Sequence, residues 1–297
     1  MSNRKPIRGQ EKIFDIPEDE KRRVPVRPPT ERVWTRNKAK LIERYLFYFL
    51  KVAKRGTYID GFAGPHESES PESWAARRVL DSQPPVTSNR LQLRHFHLCE
   101  RSRVQLHHVK TLRDEHAERD ITVWSGDFNK RIDDILKAGS ITEKEATFVL
   151  LDQWAFECEW STVKKISQYQ KPREYKIEQF YFLAQWWFQR SRQMGQRKGL
   201  AWWGREDYKE LFGLRPDERA TMVCVRFQEE LGYRFATAWP IFISGEGWSV
   251  AYHMIHATDH DRAPELMDSA YHGLNAEPIS KDQLALRLGV DASDLDD

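Results

Sequence analysis

Four short apolar runs constrain this chain more than any other feature. They cover residues 57–60, 93–99, 121–124 and 146–152, and each is closed within three residues by an acid: Asp60, Glu100, Asp127 and Asp152. Between them the spacing predicts helices over 72–80, 102–117 and 128–136, the first opened by Ser70-Pro71 as N-cap and first-turn proline. Strand and helix in strict alternation predict parallel strands joined by right-handed crossovers. The fourth run is apolar without interruption, the pattern of a strand buried on both faces.

The flanks extend this plan. Residues 1–33 read as an extended arm, because Pro25, Pro28 and Pro29 break any helix there. Thr35 then caps a helix to about residue 54, with Leu41, Tyr45, Tyr48 and Val52 at helical spacing. A fifth strand is expected over 179–184. Two further β-like runs, 234–243 and 248–257, are joined by a short Gly-containing link at 244–247, which predicts an antiparallel hairpin. The fold expected is α/β: a doubly wound, Rossmann-like domain over 34–272, its mostly parallel sheet closed by an antiparallel C-terminal hairpin. That is the shape of S-adenosyl-L-methionine (SAM) methyltransferases; a dehydrogenase-type domain would continue in parallel. Residues 273–297 form an appendage with a short helical piece and an acidic end.

Composition narrows the function classes. Lys plus Arg is 47 and Asp plus Glu is 45, a net charge of +2, so no global field draws the chain onto nucleic acid. Three cysteines, Cys99, Cys158 and Cys224, lack CxxC spacing and fit a reducing compartment. No signal-peptide core and no run near the ~20 apolar residues of a membrane span is visible, so a soluble cytoplasmic protein is expected. P-loop, GxSxG and HExxH patterns are absent. His95 and His97 share a strand face without a third ligand, so no metal is expected.

In such sheets ligands sit outside the carboxyl ends of the strands. Each acid alone reads as an N-cap or a solvated charge; four in register read as a pocket. Asp60, Gly61, Phe62 and Gly64 form the first turn, where glycine lets a ligand approach the backbone. Glu100 is placed for the hydroxyls of a ribose. Asp127 is placed for an adenine amino group, with Phe128 against the ring. These residues are the candidate SAM-binding set. Asp152, Gln153 and Trp154 follow the fourth strand and are the candidate catalytic group facing a methyl acceptor.

Residues 186–205 carry Trp186, Trp187, Arg190, Arg192, Arg197, Lys198, Trp202, Trp203 and Arg205 with no acid. Three readings stand side by side. Aromatic platforms with interspersed arginines suit single-stranded nucleic acid, with Trp186, Arg190, Arg192, Arg197 and Trp202 as substrate-binding residues. A helical lid would bury the tryptophans and solvate the arginines. A partner-protein interface would use both residue types as anchors.

Tyr58-Ile-Asp-Gly-Phe-Ala-Gly-Pro65, the Thr35-x-x-Lys38 helix start with Tyr45-Leu46, and His253-Met-Ile-His-Ala-Thr-Asp-His260 resemble the three-Cys-motif partner proteins. The resemblance covers about residues 34–272, with specific motifs at the two ends. It implies a SAM-methyltransferase-like fold and pairing with a radical-SAM-like three-cysteine protein. Two positions depart from it. His66 stands where a further glycine is usual, and Asp152-Gln153-Trp154-Ala155 replaces Asp-Pro-aromatic-Gly. In amino-group methyltransferases such a turn offers a side chain and a carbonyl to the target nitrogen; Gln153 is expected to offer its amide oxygen instead, and Trp154 to stack. The function expected is SAM-dependent methyl transfer to a nucleic-acid base. The alternative is a non-catalytic subunit that keeps the fold and binds nucleic acid or a partner enzyme.

Overall fold

The computed structural model describes residues 33–34, 37–65, 73–87, 91–142, 145–169, 176–191, 194–243 and 249–274. The expectations placed on residues 1–32, Thr35, His66, Ser70-Pro71, Arg192, the link at 244–247 and the tail beyond 274 lie outside them.

Eight strands form one sheet in the order β1-β7-β8-β6-β5-β2-β3-β4. In chain order these are β1 (Val33–Trp34), β2 (Arg55–Asp60), β3 (Gln92–Glu100), β4 (Asp120–Ser125), β5 (Ala146–Leu151), β6 (Glu178–Ala184), β7 (Phe235–Phe242) and β8 (Val250–Thr258). All neighbours run parallel except β8, which is antiparallel to both β6 and β7. This is the doubly wound sheet with a C-terminal antiparallel hairpin that the alternation predicts. Val33, assigned above to the arm, instead pairs with Ile241 at the sheet edge, beside Trp34 with Phe242.

The helices are α1 (Lys38–Ala53), α2 (Ala75–Asp81), α3 (Arg103–Glu115), α4 (Phe128–Leu136), α5 (Trp160–Gln168), α6 (Gln185–Arg190), α7 (Gln196–Trp203), α8 (Pro216–Glu229) and α9 (Ala263–His272), with a 3-10 helix at Glu206–Gly213. Strand periodicity splits the core into two layers. On β5, Phe148 and Leu150 pack with α1 residues such as Leu41 and Tyr45, whereas Val149 and Leu151 pack with α4, α5 and α8 residues such as Ile132, Val163 and Phe227. Among the described residues no helix is long and apolar enough to cross a membrane.

Helix α2 starts at Ala75, three residues later than the spacing predicts, because Trp74 caps it in extended backbone and its indole N–H donates to the carbonyl of Ala63 at 2.7 Å. Helices α5 and α8 are additions to the sequence reading. For α8 a start signal was present: Pro216, Asp217 and Glu218 fill its first turn, and the backbone N–H of Arg215 donates to the Glu218 carboxylate at 2.7 Å.

His97 and its neighbours account for one β-sheet histidine. Trp124 donates its indole N–H to His97 Nδ1 at 3.1 Å, so Nε2 carries the proton toward Ser140 Oγ at 2.6 Å. Burial pushes the His97 pKa down from 6.5 to about 4. The folded state therefore holds fewer protons than the unfolded chain between these values. Stability is complete above about pH 6.5 and falls toward pH 4, with His97 contributing on the order of 2–3 kcal/mol to the loss. Urea denaturation at pH 7 and pH 4.5 should show a smaller acid-side loss in His97→Gln than in the parent chain.

Candidate functional site

The site begins where strand order reverses, between β2 and β5, the place where doubly wound sheets bind ligands. Asp60 ends β2, and its carboxylate turns inward. It accepts hydrogen bonds from the Tyr58 hydroxyl and from the backbone N–H of Phe62, each at 3.0 Å. Asp60 is buried and absent from the cavity wall. That corrects its expected role: it shapes the turn rather than touching a ligand through its carboxylate. The turn is also tied to both neighbouring strands, by Gly61 N–H to Leu150 O at 3.0 Å and Ala63 N–H to Cys99 O at 2.9 Å.

Glu100 ends β3. One carboxylate oxygen accepts the N–H of Gly64 at 2.9 Å and the other that of Ser102 at 2.6 Å. The acid is thereby oriented by backbone from two loops, with lone pairs remaining. A Cβ on Gly64 would lie 2.5 Å from Glu100 Oε2 and 2.6 Å from Gln105 Cβ, so no other residue fits there without displacing this pair. Beyond β4, Gly126 holds φ +127°, a backbone region that favours glycine. Asp127 then caps α4, accepting from the backbone and side-chain N–H groups of Asn129 at 3.0 Å. Phe128 packs under Gly61 and lies 5.9 Å from the Phe62 ring.

These residues enclose a cavity of about 350 Å³. Gly61, Phe62, Gly64, Glu100, Asp127, Phe128 and Trp154 line it. Arg101, Gln105 and Glu157 line it too, and no motif announced them. Arg101 and Glu157 form an ion pair at 2.6 Å. The amide oxygen of Gln105 is buried without a hydrogen-bond partner among the described residues.

The turn after β5 differs most from expectation. Both oxygens of Asp152 lie 2.8 Å from Lys38 Nζ, inside the protein and away from the cavity wall. The ammonium also sits near the rings of Phe182, at 5.0 Å, and Tyr252, at 4.9 Å. Burial alone lowers the Lys38 pKa, but the charge of Asp152, then Tyr252, the Asp152 hydrogen bond and Asp60 outweigh it, and the net shift is upward. Lys38 is therefore a fixed cation. Gln153 is buried as well. Its amide oxygen accepts the N–H of Glu157 at 3.0 Å and of Cys158 at 2.9 Å, and its amide nitrogen donates to Phe182 O at 3.2 Å. It braces the loop and has no oxygen to offer a substrate, which corrects that expectation.

Trp154 alone of this group faces outward, 46% exposed. Its ring stands edge-on to Trp186 at 5.7 Å and to Trp187 at 6.4 Å, and the Arg190 guanidinium lies 4.7 Å from the Trp186 ring. Trp154, Trp186 and Arg190 thus make an aromatic and cationic lip beside the cavity. Arg197 and Lys198 are exposed on α7. Trp202 and Trp203 are core residues: Trp202 donates to the Tyr181 hydroxyl at 2.7 Å, and Arg226 stacks 4.0 Å from Trp203 and 3.8 Å from Trp160. Trp202 is therefore no stacking platform. Within the segment, Trp186 and Arg190 lie at the lip, whereas Trp202 and Trp203 are buried. Accordingly, Trp202→Ala should cost about 3–5 kcal/mol in urea denaturation, whereas Trp154→Ala should stay within roughly 0.5 kcal/mol of the parent.

No family model matches the chain, and no curated protein matches it. Solved structures do match. M. jannaschii TYW2 in complex with AdoMet aligns over 74% of this chain and 75% of its own, at 10% identity and a TM-score of 0.37. The putative methyltransferase yhhF from Escherichia coli aligns over 80% and 91%, at 11% identity and a TM-score of 0.35.

Proposed function

We propose that this chain binds SAM in the cavity beside Glu100 and directs its methyl group to a nucleic-acid base seated on the Trp154–Trp186 lip. The observation that carries the reading is the Glu100 carboxylate, held by the N–H groups of Gly64 and Ser102 at the wall of a cavity at the sheet's switch point. A carboxylate so fixed accepts both hydroxyls of a ribose without reorganising. Asp127 and Phe128 would hold the adenine, and the backbone of Gly61–Gly64 the rest of the molecule. The partnerless amide oxygen of Gln105 supplies a further acceptor for a hydroxyl or amino group, so the residues present fit a nucleoside-bearing ligand. SAM supplies an activated methyl on sulfur; the chain supplies position and orientation.

Titration calorimetry with SAM tests this. Saturable binding at micromolar concentrations is expected, and no binding by a folded sample would reject it. For the lip, Arg190→Glu should weaken single-stranded oligonucleotide binding at low salt by roughly fivefold to tenfold. An unchanged affinity removes Arg190 from the acceptor side.

The commitment of Asp152 to Lys38 favours a second reading, in which the chain keeps the fold as a non-catalytic subunit that binds nucleic acid or a partner enzyme. A radical-SAM-like three-cysteine protein is the partner that the motif resemblance implies. A folded chain that fails to bind SAM yet retains oligonucleotide affinity dependent on Arg190 would support this alternative.

A further inference from the structure

We infer that the exposed face of α3 is a phosphate track along which a nucleic-acid strand leaves the cavity mouth, so that the ligand is an internal stretch of single strand and not a free nucleotide. This rests on the nucleic-acid part of the reading above and holds for the methyl-transferring and the non-catalytic form alike.

Residues 101–113 hold Arg101, Arg103, Lys110 and Arg113, with His107 and His108, and no acid. The stretch begins at the cavity, which Arg101, Ser102 and Gln105 line. Helix α3 buries Leu106, Val109 and Leu112 and turns Arg103, His107 and Lys110 to solvent. These three are spaced by four and then three residues, so they form one stripe about 10 Å long. The side chains of Arg103 and Lys110 make no hydrogen bond or ion pair among the described residues. Arg113 ends the stripe, paired with Asp114 at 2.7 Å.

Helix electrostatics work against this arrangement. The N-terminal end of a helix is partly positive and favours acids. The first turn of α3 contains none; Arg103 stands in it, and Arg101 lies just outside. The fold gains nothing from cations there, and the surplus positive charge suits an external anion. Val104, 70% exposed, sets an apolar side chain beside them.

A line of contacts joins this track to the lip. Arg101 pairs with Glu157 at 2.6 Å, and the second oxygen of Glu157 faces the N–H of Trp154 at 3.4 Å. Trp154 stands edge-on to Trp186, and Arg190 lies 4.7 Å from the Trp186 ring. Cations therefore lie on both sides of an exposed indole, the arrangement that phosphates flanking a stacked base require. A duplex would keep its bases from Trp154. An acidic protein would meet the cations and leave the indole without a role.

The test measures binding of the full chain, at low salt, to a fluorescein-labelled single strand of about twelve nucleotides and to the matching duplex by anisotropy, and to a 5′-phosphorylated dinucleotide by tryptophan fluorescence. The single strand should bind more tightly than the duplex. Arg103→Glu and Lys110→Glu should each weaken it about fivefold, and either factor should multiply with that of Arg190→Glu, because the contacts are separate. Lys137→Glu, the same charge change at the far end of α4, should shift it less than about twofold. The dinucleotide is too short to reach Lys110 from the lip, so Arg190→Glu should weaken it and Lys110→Glu should not. An affinity for the long strand unmoved by both α3 variants would overturn the inference and leave the lip standing. Equal loss with Lys137→Glu, or an equal effect of Lys110→Glu on the dinucleotide, would reduce the track to general charge and overturn it. A duplex bound as tightly as the single strand, or polyglutamate that displaces the strand at equal charge concentration, would assign the face to another partner. Strand binding along α3 by a chain that fails to bind SAM would support the inference and reject methyl transfer.

Discussion

Lys38→Met should lower the unfolding free energy by about 3–5 kcal/mol, because it removes the buried cation that both Asp152 oxygens contact while the carboxylate stays in the interior. The pair is buried on both sides, with Nζ at 2.8 Å from each carboxylate oxygen. The Lys38→Met, Asp152→Leu double variant should recover most of the loss, since it removes the buried carboxylate together with its lysine. Urea denaturation of the single and double variants checks this. A single variant as stable as the parent would mean that solvent reaches Asp152, and would return it to the list of groups available to a substrate. The pair also joins α1 to the end of β5, so the double variant reports on the site. If Asp152 is structural, SAM affinity should survive the exchange of both residues.

Glu100→Gln should raise the Kd for SAM about thirtyfold to a hundredfold, equivalent to roughly 2–3 kcal/mol, by replacing charge-assisted hydrogen bonds to the ribose with neutral ones. Calorimetry measures it. Glutamine keeps an acceptor for only one of the two N–H groups, Gly64 and Ser102, that hold the acid. A modest fall in thermal stability is expected alongside, and circular dichroism at the titration temperature should show the fold intact. Unchanged affinity would move the ribose away from Glu100 and with it the orientation of the whole ligand.

The acid-closed strands, the Gly turn and the hairpin were legible because each rests on local physics: period-two burial, the helix period, and the short link that only antiparallel neighbours allow. The N-cap role of Asp127 was legible for the same reason. The helices α5 and α8 were partly legible, since Pro216 with Asp217 and Glu218 is a start signal that needs no tertiary contact. Side-chain direction was not. Asp60 and Asp152 look alike in sequence to Glu100 and Asp127, each an acid at a strand end. Only the packed sheet turns Asp60 toward Tyr58 and Asp152 toward Lys38, which lies 114 residues earlier in the chain. Trp186 and Trp202 differ in the same way: they belong to one basic segment, yet one lines an exposed lip and the other donates to Tyr181 in the core.

From sequence alone came the alternation, the sheet class and the positions where a ligand pocket must open. The tertiary structure decided which of the four acids face that pocket. The reason is that a carboxylate's role depends on which donor reaches it first. For Glu100 the donors are neighbouring backbone N–H groups at the cavity wall; for Asp152 the donor is a lysine from the first helix, which takes the acid out of solvent and leaves Trp154 as the turn's outward face.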